Sequence, residues 1–319
     1  MLQPALMSKP ELQTDPYTIA FAGNPLRRHS ENYPTKAWVE TQLTNTAAVF
    51  LPFFKGDPLI IDGSPAYLQM AARSAFPATA PLVFLGMDPR QPVPCPVFAL
   101  DASASAADAQ SAPLADFCQY ENLRGAAGMV KGPDLAIAGQ GRWLLLWHEA
   151  NGYCARCGAP SEMADGGAKR HCPNCGADHF PRTEPVAIVL VTHGDECLLG
   201  RGPNFPPGFM SALAGFAEAG ETLEECAVRE IYEEAGVRIH SVRYQFSQPW
   251  PFPASLMMGC FATAEDKALT LDKTEIEDAR WFSRRDIRRL LDGGKDQEIR
   301  IPPNFTIAHH LVKRWAQQS

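Results

Sequence analysis

The sequence predicts an α/β protein. Its C-terminal half reads as a mixed sheet with helices on both faces, preceded by a four-cysteine ribbon and an N-terminal α+β domain. Three observations lead there. Val186–Val191 is a continuous apolar run, as expected of a strand buried on both faces, and further strand-like runs follow it on either side of an amphipathic helix. Cysteines 154, 157, 172 and 175 form two C-x2-C pairs. Residues 17–145 carry short apolar runs bounded by Pro, Gly or Asp. The expected division is therefore 1–145, 146–181 and 182–319.

Composition narrows the class. A chain of 319 residues has room for two or three domains with ample core. A net charge of −7 gives no global basic footprint for nucleic acid. No run approaches the ~20 apolar residues of a membrane span, and Met1–Pro16 is polar, without an apolar signal core. Five of the nine cysteines (Cys95, Cys118, Cys197, Cys226 and Cys260) are scattered, which suggests small buried thiols in a reducing, cytoplasmic setting.

In the first half, Ala47–Phe54, Leu59–Ile61, Leu82–Met87 and Val97–Leu100 read as strands. Asp101–Pro113 is an Ala/Ser-rich connection, and helical patterns follow at Leu114–Val130 and Asp134–Ala150. The polar stretch Phe21–Ser30 reads as a surface loop. Gly139-Gln-Gly141 lacks the third glycine of a dinucleotide fingerprint, and the chain contains no Gly-x4-Gly-Lys-Ser/Thr phosphate loop.

The ribbon has the spacing C-x2-C-x14-C-x2-C, and each pair is followed by a glycine that permits a tight turn. Four thiolates so placed specify a closed tetrahedral zinc site. The role is structural, because a segment this short has little core and needs a staple. His171 and His179 could ligate, but four cysteines complete the set. Zinc ribbons often touch nucleic acid, and Arg156, Lys169 and Arg170 are too few to favour that use.

In the last part, Glu196–Leu199, Phe209–Phe216, Arg243–Phe246 and Leu256–Ala264 read as strands, and Arg284–Leu291 and Thr306–Ala316 as closing helices. Thr222 and Glu225 form a T-x-x-E capping box, and Gly236 suits a left-handed helix stop. Between them Leu223, Ala227, Val228, Ile231 and Ala235 make an apolar arc. Glu230, Glu233 and Glu234 stand beside it at i, i+3 and i+4. Like charges at that spacing cost a helix ~0.2–0.5 kcal/mol per pair. A divalent cation reverses the sign, and Mg²⁺ prefers such oxygen ligands together with bound phosphate. Arg229, one turn before Glu233, can orient it.

The stretch Ser247-Gln-Pro-Trp-Pro-Phe-Pro-Ala-Ser255 alternates prolines with Trp250 and Phe252. The prolines preorganise the backbone, and the rings suit stacking on a nicotinamide or adenine. Gln248 and Ser255 offer polar handles. Substrate stacking and simple core filling are equally compatible with these residues taken alone.

The glycines, arginine and glutamates from Gly215 to Val237 follow Gly-x5-Glu-x7-Arg-Glu-Ile-x-Glu-Glu-x-Gly-Val. This resembles in full the signature box of the Nudix hydrolases. With the upstream cysteine ribbon and the Ser-Gln-Pro-Trp-Pro-Phe-Pro-x-Ser stretch, residues 150–310 resemble the NADH pyrophosphatase family. The resemblance implies a Nudix α/β/α sandwich and hydrolysis of NADH or NAD⁺ to AMP and (reduced) nicotinamide mononucleotide. It also implies catalytic Mg²⁺ or Mn²⁺, one structural Zn²⁺ on Cys154, Cys157, Cys172 and Cys175, and a homodimer. Family metal ligands correspond to Ala214 (through its carbonyl), Glu230, Glu234 and Glu275, with Glu233 close by. By residue type alone Glu277 or Asp278 would serve as well as Glu275. Substrate contacts correspond to Phe180, Gln248, Pro249, Trp250, Pro251, Phe252, Pro253, Ala254, Ser255 and Ala308. Phe180 departs from the tyrosine common in the family. Glu233, steered by Arg229, is the candidate base.

Removal of NAD caps from RNA breaks the same bond and is the alternative reading. Arg280, Arg284, Arg285, Arg288 and Arg289 form a local basic patch that could serve it, although a solvated helix face is the plainer account. A zinc-ribbon regulator with an idle hydrolase fold is a third reading, and the intact box glutamates oppose it.

Overall fold

The computed structural model describes residues 19–28, 35–130, 132–293 and 298–318. In chain order the elements are α1 (Lys36–Leu43), β1 (Val49–Phe54), β2 (Asp57–Ile61), β3 (Ser64–Pro65), β4 (Leu68–Gln69), α2 (Met70–Arg73), β5 (Leu82–Asp88), β6 (Cys95–Asp101), β7 (Gln119–Tyr120), α3 (Leu123–Ala126) and α4 (Pro133–Ala150). The ribbon supplies β8 (Glu162–Ala164), β9 (Lys169–His171) and β10 (Asp178–His179). Then come β11 (Glu184–His193), β12 (Glu196–Arg201), β13 (Leu213–Phe216), α5 (Leu223–Ala235), β14 (Ile239–Trp250), β15 (Ser255–Ala264), β16 (Asp278–Ser283), α6 (Arg284–Leu291) and α7 (Ile307–Gln317).

The C-terminal sheet runs β14-β15-β11-β12-β16, with β13 pairing β11. Its centre, β11, is buried on both faces. Ala187, Val189 and Val191 point into one core with Ala227 and Ile231 of α5. Ile188 and Leu190 point into the other with Leu311, Val312 and Trp315 of α7. That is the two-residue alternation of a strand serving two layers, so the expected sandwich forms.

The N-terminal sheet repeats this plan. β1 pairs β6 in parallel and β2 and β4 antiparallel. β5 pairs β6, and β7 pairs β2, both antiparallel. In the C-terminal sheet β11 pairs β15 in parallel and β12 and β13 antiparallel. β14 pairs β15, and β16 pairs β12, again antiparallel. The two halves therefore share strand order and sense, apart from the extra short strand β3. The difference lies in one helix: where α5 has 13 residues, α2 has 4.

Several sequence expectations need correction. Leu114–Val130 is not one helix. It contains the two-residue β7, the Asn122-capped single turn α3 and loop, because β7 is drawn out to pair with β2 and Gly125 and Gly128 weaken continuation. The strand expected at Phe209–Phe216 covers only Leu213–Phe216, with isolated bridges at Phe209 and Ser211. β14 extends well beyond Arg243–Phe246 and carries the aromatic stretch as far as Trp250. Phe21 is no surface-loop residue: it is 4% exposed and sits in the N-terminal core. Residues 29 and 30 of that stretch, and Met1–Pro16, lie outside the described residues. Of the scattered cysteines four are buried, and Cys118 is half-buried.

The basic patch is partly engaged within the fold, with Arg280, Arg285, Arg288 and Arg289 still exposed on the surface, as a solvated helix face would have it. Arg284 donates from Nη1 to the Trp315 carbonyl and ion-pairs with Asp195, and its guanidinium lies over the Trp315 ring. Arg288 Nε donates to the Ala316 carbonyl at 2.7 Å. Both arginines thus bond carbonyls at the negative end of α7. Among the described residues no helix is long and apolar enough to cross a membrane.

Candidate active site

The box helix begins and ends as its residues dictate. The Thr222 hydroxyl accepts from the Glu225 amide at 3.2 Å, and the Glu225 carboxylate accepts from the Thr222 amide at 2.7 Å. Gly236 closes α5 at φ 70°, where an added Cβ would lie 2.8 Å from Thr270. α5 buries Cys226, Ala227, Ile231, Glu234 and Ala235. Val228, expected in the apolar arc, is 42% exposed because the buried stripe runs through Cys226 instead.

Packing of α5 against β13 builds the acidic centre. A Cβ on Gly215 would stand 1.9 Å from the Glu230 carboxyl carbon. Only a glycine leaves room for that carboxylate against the strand, next to Ala214 on β13. Arg229 holds the rest in order. Its Nε and Nη2 fork onto Glu221 at 2.6 and 2.8 Å, and its Nη1 donates to both Glu230 and Glu233 at 2.9 Å. Its Nη2 also reaches the Phe216 carbonyl at 2.9 Å. The fork from Arg229 holds the Glu221 carboxyl down at about 2. Glu221 was not singled out from sequence as a site residue; its place in the box was the available signal. Glu233 remains mostly exposed at the helix surface.

Glu234 is the exception in this cluster. It is 7% exposed, and its Oε2 has no hydrogen-bond partner. Burial, followed by repulsion from Glu230 and Glu275, pushes its carboxyl up to about 8. Of the three acidic candidates, Glu275 is the one whose charge acts on Glu234. Glu277 turns to an ion pair with Arg201 at 2.9 Å, and Asp278 to one with Arg280 at 2.7 Å. The buried Glu234 oxygen has no donor, and the charges of Glu230 and Glu275 act on it; these are hard oxygen donors, although their carboxylates are not drawn together within 4.8 Å as the ribbon sulfurs are. Donors of this chemistry suit a Mg²⁺- or Mn²⁺-type cation, which would supply the missing partner of Glu234.

The ribbon is equally well formed. The four cysteine sulfurs lie within 4.8 Å of one another, the only such His/Cys/Asp/Glu group of three or more among the described residues. The two halves match: Gly158 and Gly176, at φ 74° and 71°, each return an amide to a cysteine carbonyl at 2.9 Å. This soft, closed S4 set fits zinc. His179 Nε2 stands 3.2 Å from the Cys154 sulfur. Burial would raise the Cys154 thiol, but His179 and the Arg156 amide at its sulfur bring it down to about 5. His179 therefore supports a ligand rather than adding a fifth. Phe180 follows it and is 60% exposed.

The aromatic stretch is placed differently from the expectation of free handles. Gln248 is fully buried: its amide donates to the Ala20 and Phe305 carbonyls at 3.1 and 2.8 Å, and its oxygen accepts from the Ile307 amide at 2.7 Å. Its side chain is thus committed to protein contacts. Ser255 and Ala308 are buried as well. Trp250 and Phe252 are half-buried against the N-terminal core, each meeting Phe21 edge-on. The Ala254 carbonyl accepts from the Glu184 amide at 2.8 Å, tying the loop to β11. Phe252 and Pro253, with Asn122, Arg124 and Arg142, line a cavity of about 440 Å³. A larger cleft of about 1050 Å³ separates α4 from β14; Pro249 and Pro251 line it, but no box carboxylate does. Phe216, exposed beside Ala214, is a further aromatic at this centre that sequence reasoning passed over.

Comparison with known proteins agrees with these three parts. Residues 181–304 match the NUDIX domain, 149–180 the NADH pyrophosphatase zinc ribbon domain, and 47–147 the NADH pyrophosphatase-like rudimentary NUDIX domain. The last match accords with the repeated strand plan and the shortened α2. The chain is 34% identical to the Homo sapiens NAD-capped RNA hydrolase NUDT12 over 92% of its own length and 72% of that protein. It is 42% identical to NAD-capped RNA hydrolase NudC of Stutzerimonas stutzeri (strain A1501), over 68% of its own length and 71% of that protein. It is 37% identical to the Homo sapiens mitochondrial NAD(P)H pyrophosphatase NUDT13, over 62% of its own length and 60% of that protein.

Proposed function

Since the chain belongs to the Nudix hydrolases, in the NADH pyrophosphatase family, we propose that it hydrolyses the pyrophosphate of NADH or NAD⁺. The products are AMP and (reduced) nicotinamide mononucleotide. The observation that carries this reading is Glu234, a buried carboxylate with an unpartnered oxygen beside Glu230 and Glu275. No structural duty explains a group so costly to bury, whereas a cation-dependent attack on a phosphoanhydride does.

Glu230, Glu234, Glu275 and the Ala214 carbonyl would hold Mg²⁺ or Mn²⁺. Bound there, the cation supplies charge neutralisation to the pyrophosphate and acidity to water. The chain's own residues do the rest. Arg229 restrains Glu230 and Glu233 through one nitrogen, which keeps their like charges in a fixed arrangement. Glu233, mostly exposed at the helix surface, takes the proton of the attacking water as phosphorus is attacked. Trp250 and Phe252 hold the nucleotide ends by ring contact, and the exposed ring of Phe180 offers a further one. This reading includes the division 1–145, 146–181 and 182–319, one structural zinc per chain, a homodimer and a cytoplasmic setting.

Chromatography of NADH digests with Mg²⁺ or Mn²⁺ tests the reaction. AMP and reduced nicotinamide mononucleotide are expected; free nicotinamide or ADP-ribose would refute the bond assignment. The two relatives named as NAD-capped RNA hydrolases favour a second substrate with the same bond, NAD-capped RNA. Gel analysis of a capped transcript should show 5′-monophosphate RNA. No such product at enzyme levels that exhaust NADH would confine the enzyme to free dinucleotides.

A further inference from the structure

The N-terminal half retains the hydrolase strand plan but not the box helix, so it cannot supply a second acidic centre. Its contacts with the aromatic loop suggest another use. Arg142 on α4 reaches across with Nε to the Pro251 carbonyl at 2.9 Å, while its Nη1 pairs with Asp57 of β2 at 2.8 Å. Its guanidinium lies 5.2 Å from the Phe252 ring centroid, and that of Arg124 lies 4.8 Å from the same centroid. The edge contact of Phe21 with both Trp250 and Phe252 completes the hold, and Trp250 and Phe252 pack on each other at 5.0 Å. At Gly139 an added Cβ would fall 3.0 Å from Phe21 and 3.4 Å from Pro251, so the glycine lets α4 close on the loop.

We propose that the degenerate N-terminal half is the holder of the substrate loop, and that Arg142 is its positioning residue. A planar guanidinium can bond a carbonyl and a carboxylate and stack on a ring at the same time, which an ammonium cannot. Pro251 has no amide of its own to brace the loop, so its carbonyl is the available grip. Fixing the loop before substrate arrives removes part of the ordering cost of binding. Catalysis on a dinucleotide then depends on a domain that never touches the reacting phosphorus. This inference rests on the reading that Trp250 and Phe252 hold nucleotide ends.

The test compares wild type, Arg142→Met, Arg142→Lys and Trp250→Ala in the full chain. Each is assayed on NADH and on dimethyl pyrophosphate, which keeps the anhydride and lacks both nucleosides. Amide hydrogen exchange over residues 248–255 and thermal melting are read in parallel. Arg142→Met should lower kcat/KM for NADH about ten- to a hundredfold, the scale of a misplaced binding group. It should leave dimethyl pyrophosphate within about twofold of wild type on the same basis and speed exchange in the loop, with Arg142→Lys intermediate. Equal loss on both substrates, or unchanged loop exchange, overturns the proposal. If Arg142→Met does not fold, Arg142→Lys decides by the same comparison. Equal loss of both substrates in Trp250→Ala refutes the nucleotide-holding reading itself; NADH-selective loss there without such loss in Arg142→Met refutes only the positioning role.

Discussion

Glu234→Gln should stabilise the cation-free protein while abolishing turnover. The folded protein raises this carboxyl from 4.5 to about 8, through burial and then Glu230 and Glu275. Between those values the native state keeps a proton that the unfolded chain has lost, so wild-type stability falls as pH rises through the window. At pH 7 the gap is ~2.5 pH units, and at 1.36 kcal/mol per unit the penalty is about 3 kcal/mol. Glutamine has the same shape and cannot ionise, so the variant escapes the penalty. Helix-surface repulsion alone would give only ~0.2–0.5 kcal/mol per pair; burial makes the effect several times larger. The assay is urea denaturation at pH 5, 6, 7 and 8 without added divalent cation and with the ribbon zinc in place. The variant should exceed wild type by under ~1 kcal/mol at pH 5 and by about 3 kcal/mol at pH 7. Saturating Mg²⁺ should close the gap by stabilising wild type alone. Parallel stability curves from pH 5 to 8 would refute the argument, as would near-normal kcat in the variant at saturating Mg²⁺.

Cys154→Ser or Cys175→Ser should lose zinc and destabilise the ribbon, since metal binding there is folding energy; elemental analysis of native protein never exposed to chelator should find one zinc per chain. Gly215→Ala forces a Cβ onto the Glu230 carboxyl, so Mg²⁺ titrations of turnover should shift to higher concentration and kcat should drop ~100-fold or more; an unchanged titration would remove Glu230 from the ligand set. Arg288→Ala should lower stability by about 0.5–1.5 kcal/mol, read as a lower Tm, through loss of one bond made by an exposed arginine, without changing the salt dependence of capped-RNA cleavage, because Arg288 is engaged with the end of α7; a changed salt dependence would restore the basic-patch reading.

Local chemistry was legible in the sequence wherever neighbours in the chain do the work. The Thr222–Glu225 cap, the Gly236 stop, the two Cys-x2-Cys-Gly turns and the alternation along β11 all rest on contacts within a few residues, or on one strand's period. The strands β11, β12 and β15 and the helices α5, α6 and α7 followed from the same signals, whereas β14 was foreseen only at its centre and β16 was missed. Tertiary structure decided what depends on chain segments far apart. Glu230, Glu233 and Glu234 look alike on one helix, yet folding buries Glu234 and leaves its Oε2 unpartnered, presses Glu230 against Gly215 and keeps Glu233 mostly exposed. Gln248 looks like an available amide, and folding spends it on Ala20, Phe305 and Ile307. Arg284 and Arg288 look like an open cationic face until α7 ends beside them. The repeated strand plan was invisible for a related reason: pairing order is written in backbone hydrogen bonds, which many side-chain sequences can satisfy. Loss of the box helix also erased the only stretch with a recognisable spacing. Arg142, more than a hundred residues before Pro251, carries no periodicity or motif linking it to the loop; only the folded chain brings the two together.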